Sequence, residues 1–166
     1  MKILLTNKQI NKRIKELAQI ISNDLFGQEN IIVAPVLKGG MLFGAHLFPH
    51  LGFPCKLEYF HTSRYQDKQE GSELIFIHEP MCDLKDTTVV LIDDIYDEGI
   101  TLDKLEEYCY EQGAKKVVSV VLLTKNKTNK NPKYVGFEIP DYFVYGFGLD
   151  EAGFNRNLTF IAYNED

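Results

Sequence analysis

The sequence predicts an α/β domain built on a mostly parallel sheet. Three near-continuous apolar runs, at 31–37, 87–95 and 116–125, have the pattern of strands that are buried on both faces. Segments with helical periodicity accompany these runs, and buried strands that alternate with helices indicate parallel pairing. Ligands of such sheets bind beyond the carboxyl ends of the strands, so the strand ends are the first place to look for a site.

The N-terminal part of the chain predicts a helix, a buried strand and a second helix. Thr6 and Gln9 have the spacing of a capping box, and Gly27 suits the end of the helix that they begin. The face that this helix buries recurs every three or four residues: Ile10, Ile14, Leu17, Ile21 and Leu25. The strand 31–37 then ends at a Lys-Gly-Gly turn, and a helical pattern runs from 41 to about 51.

The middle of the chain predicts a strand at 55–63 and another at 74–78, which are candidates for a hairpin. Between them, 64–73 is polar and is expected to form a loop. The run 87–95 is the strongest strand, and the helix after it is expected to end at Gly113.

The last third predicts the buried strand 116–125, a turn at 126–132 and short strands. The short strands are expected at 134–139, 143–148 and 159–163. Because no repeat, low-complexity tract or linker interrupts the sequence, we expect one domain over residues 1–166.

Composition narrows the classes of function. The chain has 166 residues and a net charge of −6, which disfavours non-specific binding to nucleic acid. No apolar stretch approaches the roughly 20 residues of a membrane helix, and Met1–Leu5 is too short for a signal peptide. The three separated cysteines, Cys55, Cys82 and Cys109, argue against a disulfide framework or a zinc site. We therefore expect a soluble cytoplasmic protein without nucleic-acid or membrane partners.

The most informative motif is VVLIDDIYDEGIT, at 89–101. Four carboxylates fall within a stretch of six residues just past a buried strand: Asp93, Asp94, Asp97 and Glu98. Their mutual repulsion calls for a cation or a polyhydroxyl ligand. Gly99 and Thr101 then begin a helix, whose N-terminal N–H groups suit a phosphate. The alternative is a solvated acidic turn with a helix cap.

This segment resembles the phosphoribosyl diphosphate (PRPP) signature of the type I phosphoribosyltransferases. Further stretches resemble the hypoxanthine-guanine phosphoribosyltransferases in order and approximate spacing: VLKGG (36–40), Arg64-Tyr65, the lysine that ends 116–125, and 140–158. The resemblance covers about residues 31–161. It implies the type I fold, a mostly parallel sheet flanked by helices with a small hood. It also implies transfer of 5-phosphoribosyl from PRPP to N9 of hypoxanthine or guanine, with IMP or GMP and pyrophosphate as products.

The resemblance also assigns roles to individual residues. Asp97 corresponds to the general base at purine N7, and Mg²⁺ is the expected cofactor, with Asp93 and Asp150 as its ligands. The residues implied to bind ribose and its 5-phosphate are Asp93, Asp94, Glu98, Gly99, Ile100 and Thr101. Those implied to bind pyrophosphate are Lys38 and Gly39, in a turn that in the family often carries a cis peptide bond before the glycine, together with Arg156. Arg64 and Tyr65 belong to a lid.

The purine is expected to bind among Lys125, Phe143 and Val144. An ammonium has three donors and no acceptor, so Lys125 suits a 6-oxo group and not an amine. An aromatic ring stacks on any purine, and a nearby backbone carbonyl accepts from a 2-amino group. Two alternatives stay open when these residues are considered alone: Lys125 could be a solvated lysine at a strand end, and Phe143 could be an aromatic residue packed in the core.

Three positions depart from the common family pattern: Glu98 for Thr, Ile100 for Lys or a polar residue, and Arg64 for Ser. The alternatives left open are a non-enzymatic PRPP-sensing regulator, an RNA-binding relative that acts on uracil, and a xanthine- or adenine-preferring transferase. Proteins of the family commonly form homodimers or homotetramers.

Overall fold

The computed structural model describes residues 1–67, 71–125 and 132–164, and within these ranges all side chains except those of 64–67 and 71–73. The strands are β1 (Lys2–Leu5), β2 (Ile31–Leu37), β3 (Lys56–Leu57), β4 (Phe60–Asp67), β5 (Gly71–His78), β6 (Thr88–Tyr96), β7 (Lys116–Thr124), β8 (Tyr134–Glu138), β9 (Val144–Tyr145) and β10 (Ile161–Tyr163). The helices are α1 (Asn7–Asp24), α2 (Gly40–Leu47) and α3 (Ile100–Glu111).

The main sheet of the described residues has the strand order β5-β4-β2-β6-β7-β8, with β3 also paired to β2. All of its pairs are parallel except β4 with β5, which confirms the expected mostly parallel sheet. A smaller antiparallel sheet, in the order β1-β10-β9, brings the two ends of the chain together and forms the hood.

Both faces of the central strands are buried, as their continuous apolar runs predict. Val33 and Val90 pack in a cluster with α1 and α2, whereas Ala34 and Leu91 pack in a second cluster with α3. Because α2 follows β2 and α3 follows β6, the chain leaves these neighbouring strands toward opposite faces. A crevice therefore opens at their carboxyl ends, which is the usual ligand position in such sheets.

Helix α1 begins as predicted. The Thr6 hydroxyl accepts from the Gln9 N–H at 3.4 Å, and the Thr6 N–H donates to Gln9 Oε1 at 2.9 Å, so the capping box is complete. The helix ends at Asp24, three residues before Gly27, which adopts a positive φ of 75° in the following turn. None of the helices in the described ranges has both the length and the apolarity needed to cross a bilayer.

Two predicted boundaries shift because of local chemistry. The helix expected at 41–51 ends at Leu47 and continues as a 3₁₀ turn over Phe48–His50, where Pro49 lacks the N–H of a continuing helix. The strand expected at 55–63 divides into β3 and β4, which pair with β2 at different points.

The loop expected at 64–73 is wrong for 64–67 and 71–73. These residues continue β4 and β5 as a hairpin, with Asp67 opposite Gly71, while 68–70 lie outside the described residues. Most of the turn expected at 126–132 also lies outside them. The strand expected at 143–148 is limited to Val144–Tyr145, because 146–148 turn back through positive φ angles. Strand β1 was not predicted, although it completes the hood.

Candidate active site

The turn between β6 and α3 forms a small cup. Gly99 is the N-cap of α3 and has φ 81°, a conformation that glycine adopts readily. A Cβ on Gly99 would overlap the hydroxyl of Tyr96, which itself donates to Asp103 at 3.1 Å. Residues 93–102 line a cavity of about 180 Å³ there, including the predicted phosphate-binding residues Glu98, Ile100 and Thr101. Its position at a helix N-terminus suits an anion the size of a phosphate.

The end of β6 concentrates negative charge in a partly buried place. Asp93 Oδ1 accepts from the Asp94 N–H at 2.9 Å, and Asp94 Oδ1 accepts from the Ile95 N–H at 2.8 Å. Burial raises the pKa of the Asp94 carboxyl, against the opposing hydrogen bonds from Asp93 and Ile95 and the positive charge of Arg156. A ligand with hydroxyl groups or positive charge would relieve this cost.

The turn after β2 packs directly against these acids. A cis peptide bond joins Leu37 to Lys38. Gly39 follows, and a Cβ on it would overlap the carboxylate of Asp94. Gly148, with φ 100°, closes the turn from the other side, because a Cβ there would lie 2.5 Å from the Gly39 carbonyl oxygen. The backbone of this turn therefore borders the acidic end of β6.

A nearly buried lysine lies between two carboxylates. The Lys125 side chain is only 10% exposed, and its Nζ donates to Asp97 Oδ2 at 3.0 Å. Asp141 Oδ1 lies 3.5 Å from the same nitrogen. The side chains of Asp97 and Asp141 are more exposed, at 40% and 60%, although the second oxygen of Asp97, Oδ1, is itself buried.

Arg156 is held by its own loop. Its guanidinium donates to the Gly148 carbonyl oxygen at 2.6 Å and to Asp150 Oδ1 at 2.6 Å. The second oxygen of Asp150 accepts from the Gly153 N–H at 2.8 Å. These contacts fix a cation and a carboxylate side by side at the mouth of the crevice.

These features meet in one cavity of about 360 Å³. It is lined by Gly39, Asp94, Ile95, Asp97, Lys125, Phe143, Val144, Leu149, Asp150 and Arg156. Asp94, Ile95 and Asp97 also line the phosphate cup, so the two cavities adjoin. Phe143 is 62% exposed and offers an open aromatic face, whereas Val144 is buried.

Most residues predicted for the site are brought together here; Lys38 is not, and two others cannot be placed from the described side chains. Lys38 is exposed in its turn and is absent from the lining of both cavities. Arg64 and Tyr65 belong to β4, and their side chains lie outside the described part of the structure. Asp141 was not assigned a role from the sequence, although it follows the end of a strand next to β7.

The carboxylates of the site fit magnesium only together with a ligand that supplies further oxygen atoms. Within the described residues, no group of three or more His, Cys, Asp or Glu side chains could hold a metal ion. Mg²⁺ commonly binds through one or two carboxylates together with substrate phosphates and water. Asp93 and Asp150 supply such hard oxygen ligands, so the residues fit a metal that arrives with a diphosphate.

Comparison with known proteins agrees with this description. Residues 1–152 match the model of the phosphoribosyl transferase domain family. A hypoxanthine-guanine phosphoribosyltransferase of Aquifex aeolicus is 34% identical over 170 residues, covering 100% of this chain and 96% of the relative. That of Bacillus subtilis is 32% identical, covering 97% of this chain and 91% of the relative. The crystal structure of a Staphylococcus aureus hypoxanthine phosphoribosyltransferase has a TM-score of 0.93 at 29% identity, covering 99% and 91% of the two chains.

The fold and the domain match define a phosphoribosyltransferase of the type I fold, which confirms the fold class expected from the sequence. The similarity to named relatives extends over nearly the full length of both chains. The chain belongs to the hypoxanthine-guanine phosphoribosyltransferase family.

Proposed function

We propose that the protein is a purine-salvage enzyme that transfers 5-phosphoribosyl from PRPP to N9 of hypoxanthine or guanine. IMP or GMP and pyrophosphate are the products. The observation that carries this proposal is the joined pair of cavities. One holds the Lys125–Asp97 pair beside an aromatic face, and the other is the phosphate cup at the start of α3. The names of the relatives support the same reaction.

The purine binds in the larger cavity. Its ring stacks on the open face of Phe143, and Lys125 donates to the 6-oxo oxygen. A backbone carbonyl at Val144 accepts from the 2-amino group of guanine. Adenine is disfavoured because its 6-amino group cannot accept from an ammonium.

The transfer creates positive charge at the ribose and negative charge on the leaving pyrophosphate. Residues of the site stabilise or accept each of these charges. As the bond from C1 to the pyrophosphate oxygen breaks, C1 gains oxocarbenium character and N9 attacks it. Asp97 takes the proton that leaves the purine at N7. The electron pair of the broken bond departs with pyrophosphate, whose charge Arg156 and the backbone at Lys38 and Gly39 bind.

The ribose and the 5-phosphate of PRPP bind at the end of β6 and in the turn that follows it. Asp93 and Asp94 bind the ribose hydroxyls, and the turn 98–101 binds the 5-phosphate. Asp93 and Asp150 would hold Mg²⁺, which neutralises the leaving group when bound. Arg64 and Tyr65 belong to the hairpin that excludes water over the reacting centre.

One assay tests the function. Purified protein is incubated with PRPP, Mg²⁺ and each of hypoxanthine, guanine, xanthine and adenine, and nucleotide is measured. We expect product with hypoxanthine or guanine, and loss of product when EDTA removes the metal. Product formed mainly from xanthine or adenine would contradict the proposed specificity for hypoxanthine or guanine. No product from any purine would favour the PRPP-sensing regulator.

We propose in addition that the protein assembles as a homodimer or homotetramer in the cytoplasm. An apolar groove of about 250 Å³ lies beside α2 and includes the exposed residues Met41, Leu57 and Tyr59. Sedimentation equilibrium measures the assembly state, and a monomer at micromolar concentration would contradict the first part. The cytoplasmic location is supported by three free cysteines, and microscopy of a tagged chain tests it.

A further inference from the structure

At the ends of three neighbouring strands, one lysine lies between two carboxylates. β6, β7 and β8 lie side by side, and Asp97, Lys125 and Asp141 follow them. Because β7 lies between the other two, the lysine lies between the two carboxylates, at 3.0 Å from Asp97 and 3.5 Å from Asp141. The proposed purine cavity uses Asp97 and Lys125 but does not explain Asp141.

We propose that Asp141 is a positioning residue for Lys125, an inference that rests on the proposed function. It holds the Lys125 ammonium partly away from Asp97 and keeps a counter-charge beside it. An ammonium has three donors, so with one directed to Asp97 and one to Asp141, a third can be directed to purine O6. Without Asp141, the ammonium would be drawn to Asp97 alone.

The backbone fixes Asp141 beside the lysine. The Ile139 N–H donates to the carbonyl of Thr124, the residue before Lys125, at 2.9 Å. The Lys125 N–H in turn donates to the Tyr96 carbonyl at 3.3 Å, one residue before Asp97. These two backbone hydrogen bonds extend the sheet beyond the last residues of β7 and β8. They hold the ends of β6, β7 and β8 next to one another.

The turn that carries Asp141 is held from its other side. The Tyr142 N–H donates to the Pro140 carbonyl at 2.7 Å. The Tyr142 ring stacks on Tyr163 of β10 with centroids 4.4 Å apart and planes 4° from parallel. A carboxylate on a turn anchored in this way keeps a defined distance to the lysine.

The contact between Asp141 and Lys125 becomes important when Asp97 is protonated during the reaction. When Asp97 accepts the N7 proton, its charge is neutralised, while Lys125 remains charged and 10% exposed. A nearly buried charge that loses its anion is disfavoured, so a second carboxylate stabilises the state after proton transfer. Asp141 supplies that carboxylate without blocking N7, because it contacts the lysine from the neighbouring strand end.

Steady-state kinetics of Asp141→Asn test the inference. We expect kcat/KM for hypoxanthine to fall about threefold to tenfold, the range for a partly exposed ion pair on a buried partner. KM for PRPP should stay unchanged, because Asp141 contacts Lys125 on the proposed purine side of the site. Asp141→Glu should recover most of the loss. In a Lys125→Ala background, Asp141→Asn should cause no further loss, because the residue acts through the lysine. Glu107→Gln, an exposed carboxylate on α3, is the control.

The outcomes separate the inference from the function on which it rests. A wild type that forms nucleotide, together with an Asp141→Asn variant of equal kcat/KM, overturns the role of Asp141 and leaves the function intact. A loss that persists in the Lys125→Ala background also overturns it. If the wild type forms no nucleotide, the function fails, and calorimetric binding of IMP decides for Asp141. Weaker IMP binding by Asp141→Asn then supports its role, and equal binding or none overturns it.

Discussion

Gly39 and Asp94 face each other across the crevice with no room for a side chain on the glycine, because a Cβ there would overlap the Asp94 carboxylate. Gly39 lies in the turn after β2 and Asp94 lies near the end of β6, and their proposed ligands differ: pyrophosphate for Gly39 and the ribose hydroxyls for Asp94. If both residues bind PRPP as proposed, a shift of one would displace the other.

Gly39→Ala should damage the site more than the fold. The new methyl would displace the end of one side chain, Asp94, and we expect kcat/KM for PRPP to fall about 100-fold, as small misplacements in a site can cause. Gly40→Ala is the contrasting variant, because its Cβ would lie 2.9 Å from Asp93 Cα, within the backbone. It should lower the free energy of unfolding by about 1–3 kcal/mol. Urea denaturation and initial rates of both variants check this. Equal loss of stability in the two would contradict the assignment.

Asp94→Asn should stabilise the protein at neutral pH while weakening PRPP binding. Burial raises the pKa of Asp94 above its ordinary value of 3.8, so the folded state favours the protonated form. This favourable contribution is present in full below pH 3.8 and is lost as pH rises through the folded-state pKa. Asparagine stays neutral, so the variant's advantage should be larger at pH 7 than at pH 4. Denaturation of both proteins at the two pH values measures it, and an equal difference at both would refute the assignment.

Asp97→Asn should nearly abolish turnover and preserve PRPP binding. A general base contributes on the order of 100- to 10,000-fold, and an amide cannot take the N7 proton. Single-turnover rates isolate the chemical step from product release. Asp86→Asn is a matched control, since Asp86 is exposed and has φ 58°, which asparagine tolerates. An Asp97→Asn variant that keeps over half of the wild-type rate would exclude Asp97 as the base.

The residues whose neighbours could be predicted from the sequence are those at the ends of the buried strands. Continuous apolar runs locate β2, β6 and β7 within about one residue, and parallel pairing then brings Asp97 and Lys125 to the same edge. Asp141 lies at that edge for the same reason. It was missed because the short strand β8 ends three residues before it.

What the sequence did not predict depends on distant pairing. β1 is a short strand, and its partner β10 lies about 160 residues away along the chain. The polar residues 64–67 extend β4 because β5 pairs with them in register, which local composition does not reveal. The hood and the hairpin are therefore products of tertiary structure, and the strand ends are products of local pattern.

Glu98→Gln should bind PRPP about twofold to fivefold more tightly at low salt. Glu98 lines the phosphate cup, where its carboxylate opposes an anion at the N-terminus of α3. The gain should shrink at high ionic strength, because salt screens exposed charges. Glu107→Gln neutralises a carboxylate farther along the same helix and should leave PRPP affinity unchanged. Calorimetry at two salt concentrations checks both variants. Unchanged or weaker binding by Glu98→Gln would show that this side chain does not face the phosphate.

Lys125→Ala should narrow the preference for hypoxanthine over adenine. An ammonium that faces an amine keeps donors unpaired in a nearly buried place, at a cost of about 1–3 kcal/mol, so its removal should relax selectivity by roughly 5- to 150-fold. Removal of the lysine leaves Asp97 and Asp141 near each other, but their exposure of 40% and 60% keeps both hydrated, so the variant should fold.

The ratio of kcat/KM for the two purines is the decisive measurement for Lys125→Ala, because a general loss of active protein cancels in it. Lys12→Ala, which truncates a lysine that is 81% exposed on α1, should keep the wild-type ratio. A ratio that stays unchanged in Lys125→Ala would mean that the ammonium does not read the 6-position. In that case the Lys125–Asp97 contact at 3.0 Å would serve only to hold the base in place.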